Sequence, residues 1–137
     1  MAGVAAAKER SMNIFLITID DRPGVLTQIL EAAAARGVNV APAYGLSNGS
    51  TGLIAVGSND EPGLSGAIAD AGYVATEIEL VIVELENRPG TGAEIARRLA
   101  AAGVDLRIVV PVGMNGDRIQ MGFGASDPSL IKRTIGS

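Results

Sequence analysis

The sequence predicts an α+β fold made of two tandem β-α-β-β-α-β units with antiparallel sheets. Three observations carry this expectation. Arg22-Pro23-Gly24, with Gly37-Val38 beyond it, returns as Arg88-Pro89-Gly90 with Gly103-Val104, 66 positions later (88 − 22). Each motif follows a short apolar run rich in β-branched residues, the pattern of a buried strand. Each is also followed by an Asn-Gly pair, Asn48-Gly49 and Asn115-Gly116, a strong local signal for a hairpin.

The elements of the first unit follow in order. "NIFLITID" (residues 13–20) is its first strand. A helix begins near Pro23, whose fixed φ suits a first turn, with Asp20 or Asp21 placed to cap it. Val25, Leu26, Ile29, Leu30 and Ala33 share one helical face. Gly37 supplies the left-handed residue that ends such a helix. "VNVAPAYGL" is the second strand, "TGLIAVGS" the third, "EPGLSGAIADAG" a glycine-weakened second helix and "YVATEIE" the fourth strand.

The second unit repeats that order with "LVIVELE", a helix over residues 89–102 with Ile95, Ala96 and Leu99 inward, "VDLRIVVPV", "DRIQMGFG" and "DPSLIKRTIG". Between Asn48 and Asn115 the step is 67 (115 − 48), so one residue is gained before the turn, and Pro62 to Pro128 returns to 66 (128 − 62). No fourth strand follows the last helix before Ser137. This sheet is therefore expected to leave an edge open, borrow a strand or pair with another molecule. No turn signal separates "YVATEIE" from "LVIVELE", so the two strands are expected to run together. Pro42 and Pro111 fall in second strands, where a missing N–H requires an edge or a bulge. The domain reading is a flexible leader over 1–11, one unit over 12–78 and another over 79–137.

Composition excludes several functions. The chain is 47% apolar, with two Phe, two Tyr and no Trp, and carries a net charge of −4. It lacks the aromatic platforms and positive surface of a nucleic-acid binder. Every apolar run is shorter than about 18 residues, so no membrane span is expected. The opening segment does not resemble a secretory signal, and a cytoplasmic protein is expected. There is no Cys and no His, which removes thiol nucleophiles, Cys/His zinc sites and the usual base near neutral pH. Lys8 and Lys132 are the only lysines, and both lie outside the repeated motifs. No catalytic residue, metal site or cofactor is assigned. A Gly-x-Gly turn at Gly90 and Gly92 superficially suggests dinucleotide binding, but Ile95 stands where a third glycine or alanine is wanted.

With residues 21–26 after an apolar strand and Gly37-Val38-Asn39-Val40 beyond the helix, the first unit resembles the ACT domain, a ferredoxin-like regulatory module. The second unit repeats the likeness at Asn87-Arg88-Pro89-Gly90 and Gly103-Val104-Asp105-Leu106. The chain resembles small stand-alone tandem-ACT proteins, which carry no catalytic domain. That resemblance implies a non-enzymatic regulatory protein that binds an amino acid or similar small ligand where two units meet. A homodimer and a regulated protein partner are expected on the same ground. Thr91-Gly92 departs from the pattern set by Val25-Leu26.

The candidate ligand-binding residues are Asp21, Arg22, Pro23, Gly24, Val25, Asn39 and Val40 in the first unit. Their counterparts are Asn87, Arg88, Pro89, Gly90, Thr91, Asp105 and Leu106. Each turn aims unpaired backbone N–H groups and the positive end of a helix dipole outward, a suitable seat for a carboxylate. Arg22 and Arg88 are able to fork onto a carboxylate, or to pair with Asp20 and Glu86. In the family's arrangement the turn of one unit faces the second strand of its partner. Residues 87–90 would then face Asn39, and residues 21–24 would face Asp105, giving two unequal sites. The competing readings are an assembly module that binds no small molecule, and a metal-dependent enzyme built on Asp20, Asp21 and Asp60.

Overall fold

A computed structural model describes residues 10–20 and 22–136 of the chain. The elements run β1 (Arg10–Asp20), α1 (Val25–Ala35), β2 (Ala43–Ser47), β3 (Thr51–Gly57), α2 (Glu61–Asp70), β4 (Thr76–Glu86), α3 (Thr91–Ala101), β5 (Leu106–Asn115), β6 (Arg118–Ala125) and α4 (Pro128–Gly136). They form two compact units. One spans Asn13–Ile78, and the other joins the described residues before Asn13 to those from Glu79 onward. The candidate segment 1–11 falls almost wholly outside the described residues, but Arg10 and Ser11 already belong to β1.

In the first unit β1 pairs antiparallel with β3, placing Phe15 opposite Val56 and Ile17 opposite Ile54, and β3 pairs antiparallel with β2. The strand order is β2-β3-β1-β4, the last place held by the opening residues of β4. Phe15, Ile17, Ile54 and Val56 meet Val25, Ile29 and Ala33 of α1 and Leu64, Ala67 and Ile68 of α2 in one core. The buried stripe of α1 is narrower than the periodicity suggested. Val25, Ile29 and Ala33 are buried, while Leu26 and Leu30 remain 37% exposed. An i, i+4 row points straight at the sheet, and its neighbours one residue on are rotated about 100° away.

Both α1 and α3 end in the same way. Val38 N–H reaches Ala33 C=O, Gly37 N–H reaches Ala34 C=O, and Gly37 sits at φ 70°. Val104, Leu99, Gly103 and Ala100 reproduce this pair of bonds, with Gly103 at φ 79°. The two glycines are the left-handed residues that satisfy otherwise orphaned carbonyls. β2 starts later than its apolar pattern implies. Residues 38–42 are outside the strand, and Ala41 N–H and Pro42 C=O each bond to Gly57 instead. Pro42 has no N–H to extend the ladder.

In the second unit β4 pairs antiparallel with β6 and β6 with β5, around a core of Val81, Val83, Leu85, Ile95, Leu99, Phe123 and Ile131. Ala96 is exposed rather than inward. The strand order is β1-β4-β6-β5, and the first place belongs to the opening residues of β1. The fourth strand lacking from this half of the sequence is thus supplied from residues 10–12, with Arg10 bonded through its guanidinium to Gln120 at 3.1 Å. β5 is the outer strand and its register shifts at Leu106/Ile108 and at Pro111/Gly113. Pro111 therefore lies both at an edge and at a bulge, as its missing N–H demands. β4 is one unbroken strand of 11 residues, so "YVATEIE" and "LVIVELE" do run together, from Thr76 onward.

Candidate functional site

The two repeated turns adopt one conformation. Gly24 stands immediately before α1 at φ 91°, and Gly90 before α3 at φ 92°. Among the described residues neither helix has a side-chain cap, so Asp20 does not fill the role expected of it. The residue at the cap position is a glycine in the left-handed region, which an L-residue disfavours. Asp21 lies outside the described residues. At α3 the N–H groups of Gly92 and Ala93 have no hydrogen-bond partner among the described residues, the first inward bond being Glu94 N–H to Gly90 C=O at 3.0 Å.

The two arginines are placed differently. Arg22 donates to the Tyr73 hydroxyl at 2.8 Å, and that hydroxyl donates to Gln28 Oε1 at 2.5 Å. Its expected alternative partner, Asp20, is not used. Arg88 folds over its own turn, donating from Nε to Glu86 at 2.7 Å and lying 3.8 Å from Glu94. The hydrogen bond to Glu86, opposed by partial desolvation and aided by the charges of Glu94 and Glu86, raises the Arg88 pKa above its ordinary value.

Each unit holds a cavity at the start of its first helix. The first, about 280 Å³, is lined by Arg22, Gly24, Val25 and Leu26 on one side and by Leu46 and Leu53 of the hairpin on the other. The second, about 220 Å³, is lined at its mouth by Glu86, Asn87, Arg88, Thr91 and Gly92, and inside by apolar residues including Phe123. The structure therefore brings Arg22, Gly24 and Val25 together, and likewise Asn87, Arg88, Thr91 and Leu106. Pro23, Asn39, Val40, Pro89, Gly90 and Asp105 line neither cavity. Val40 packs against the first core, and Asn39 offers its backbone carbonyl to Ser58 Oγ at 2.7 Å. Leu26, Leu46, Leu53 and Gly92 were missed as site residues. Pairing of an exposed Leu46 with Leu53 across the hairpin was a recoverable signal, because apolar residues facing solvent on adjacent strands invite an occupant.

Two of the described carboxylates have other partners. Asp60 accepts from Gly63 N–H and caps α2, and Glu79 pairs with Lys132 at 2.6 Å. Among the described residues no group of three or more potential ligands is close enough to hold a metal ion. No helix among them is long and apolar enough to cross a membrane.

No protein-family model matches the sequence, and no curated protein matches it. Solved structures do resemble the fold. A protein from Bacteroides thetaiotaomicron superposes with a TM-score of 0.77 at 18% identity, over 93% of this chain and 88% of that one. The ligand-free regulatory subunit of aspartate kinase from Thermus thermophilus gives 0.61 at 21% identity, over 98% and 95%. That from Thermus flavus gives 0.62 at 20% identity, over the same shares. The fold is the tandem ACT fold. Within it, each cavity lies where a helix begins against the sheet of its own unit, and the polar groups gather at the mouth.

Proposed function

We propose that this chain is a non-catalytic regulatory module that binds a small ligand, an amino acid, through the turns that open α1 and α3. The observation that carries the reading is the repeated cavity at a glycine-initiated helix, in a fold shared with regulatory subunits of aspartate kinase. Helix N-termini attract carboxylates, and apolar walls suit the remainder of an amino acid. Of the expected contacts, Arg22, Gly24 and Val25 line the first cavity, and Asn87, Arg88, Thr91 and Leu106 the second. Occupancy favours the conformation that binds better, and that bias is passed to a protein partner or to a homodimer contact.

A second reading, assembly without a ligand, draws on exposed apolar side chains on outer strands. Leu46 on β2 is 80% exposed and Met114 on β5 is 60% exposed, and such edges invite pairing. A thermal-shift screen against the twenty amino acids separates the two. A ligand at about 100 times its Kd adds roughly 2.7 kcal/mol, a shift of several degrees in a chain of this size. A flat screen at millimolar concentrations would overturn the sensor reading in favour of assembly.

A further inference from the structure

The two units differ most where the mouth of each cavity is built. Val25 and Thr91 occupy equivalent first positions of α1 and α3, and each is 2% exposed. Val25 belongs to the first core, whereas the Thr91 hydroxyl is buried with no hydrogen-bond partner. A buried hydroxyl left unpaired is unfavourable, so its placement calls for a group that is not part of the chain. One residue on, Leu26 lines the first cavity while Gly92 lines the second. The space beside Gly92 is open, with nothing within 4 Å of where a Cβ would stand.

We propose that the cavity of the second unit is the ligand seat and that it takes an amino acid with a small aliphatic side chain. The proposal rests on the regulatory reading above and names its site and ligand class. Three groups converge on the head of such a ligand. The free N–H of Gly92 and the Thr91 hydroxyl, whose residues both line the cavity, donate to its carboxylate at the positive end of α3. Glu86 spends Oε2 on Arg88, which leaves Oε1 for the ammonium. Beyond the mouth the walls are Leu85, Ile95, Leu106, Ile119 and Phe123, with no polar side chain to answer a polar tail. A volume of about 220 Å³ holds roughly seven water-sized groups, the scale of a compact aliphatic amino acid.

Calorimetric titration of the full chain with L-leucine and with L-serine tests this. L-leucine is expected to bind and L-serine to bind at least tenfold more weakly. Gly92→Leu, which rebuilds the side chain found at Leu26, is expected to raise the L-leucine Kd at least tenfold. Thr91→Val is expected to weaken binding several-fold while raising the thermal midpoint, a combination that a merely structural residue does not produce. It also serves as the second probe if Gly92→Leu loses its native circular dichroism. L-leucine binding unchanged in both Gly92→Leu and Thr91→Val would move the site elsewhere and leave the regulatory reading standing. Preference for L-serine would overturn the aliphatic assignment alone. Absence of binding by all twenty amino acids would overturn both.

Discussion

The guanidinium of Arg36, at the end of α1, lies directly against Gly66 of α2. A Cβ at Gly66 would stand 2.6 Å from Arg36 Cζ, and the same guanidinium reaches Asp70 at 2.7 and 3.2 Å. Gly66 is thus the opening through which an arginine of one helix reaches an aspartate of the other.

Gly66→Ala tests how firmly that arrangement is held. Alanine gains about 1 kcal/mol of helix propensity over glycine, and an exposed ion pair is worth about 1 kcal/mol or less. The single variant is expected to stay within about 0.5 kcal/mol of the parent in urea unfolding. Made together with Arg36→Ala, the same glycine change is expected to stabilise by about 1 kcal/mol relative to Arg36→Ala alone. A single-variant loss above about 2 kcal/mol would show that Arg36 cannot move aside.

Acid is expected to weaken the fold through two aspartates. The hydrogen bond from Arg36 holds the Asp70 carboxyl below its ordinary pKa, and that from the Ser129 hydroxyl does the same for Asp127. A carboxyl depressed in the folded state adds stability above its unfolded value, about 3.9, and loses it as pH falls through the folded value. Urea midpoints at pH 6 and pH 3 should show Asp70→Asn closer to the parent at the lower pH. An equal gap at both would mean the ion pair contributes nothing.

Asp60 accepts from Gly63 N–H at 3.0 Å, and a Cβ on Gly63 would come within 2.2 Å of the Asp60 carboxylate. Asp60→Ala removes the cap of α2 and is expected to cost about 1 kcal/mol in urea unfolding. Asp60→Asn should recover most of that loss. Equal losses in the two variants would point to charge rather than capping.

Leu99 is fully buried at the centre of the second core, and Leu99→Ala is expected to cost 2–5 kcal/mol, the range of large-to-small core changes. Leu26→Ala, at a position 37% exposed, should cost less than about 1.5 kcal/mol. The contrast is read from paired denaturation curves, and comparable losses would place Leu26 within the first core.

Much of the fold was legible because its signals are local. Glycines at φ 70° and 79° close α1 and α3, and a sequence shows such residues directly, since few others tolerate that conformation. The run-together strand was readable from the lack of any turn residue between Glu79 and Leu80. Pairing between distant segments was not. Nothing in the pattern of residues 10–12 says which sheet they extend, because an edge accepts any strand with free backbone groups. The start of α1 was misread for a related reason. An acidic residue near a helix start suggests a side-chain cap, but the turn places glycine at that position. For the site, the turn residues Arg22, Gly24, Asn87 and Arg88 were visible by repetition. The cavity walls were not, since Leu46 and Leu53 come together only through the hairpin register. Thr91-Gly92 stood out as a departure, while the missing partner of the Thr91 hydroxyl is a fact of packing alone.

β4 passes from one unit into the other within a single strand, Thr76–Glu86, and this restricts how the gene can change length. One residue added inside it would turn every later side chain of the strand to the opposite face, sending Val81, Val83 and Leu85 out of the core they build. Turns and the outer strand β5 tolerate a change of length more readily. The residue gained between Gly103 and Asn115 falls in just such a place, where the β5 register already slips. The join between the repeats cannot lengthen by a residue without turning a core face outward.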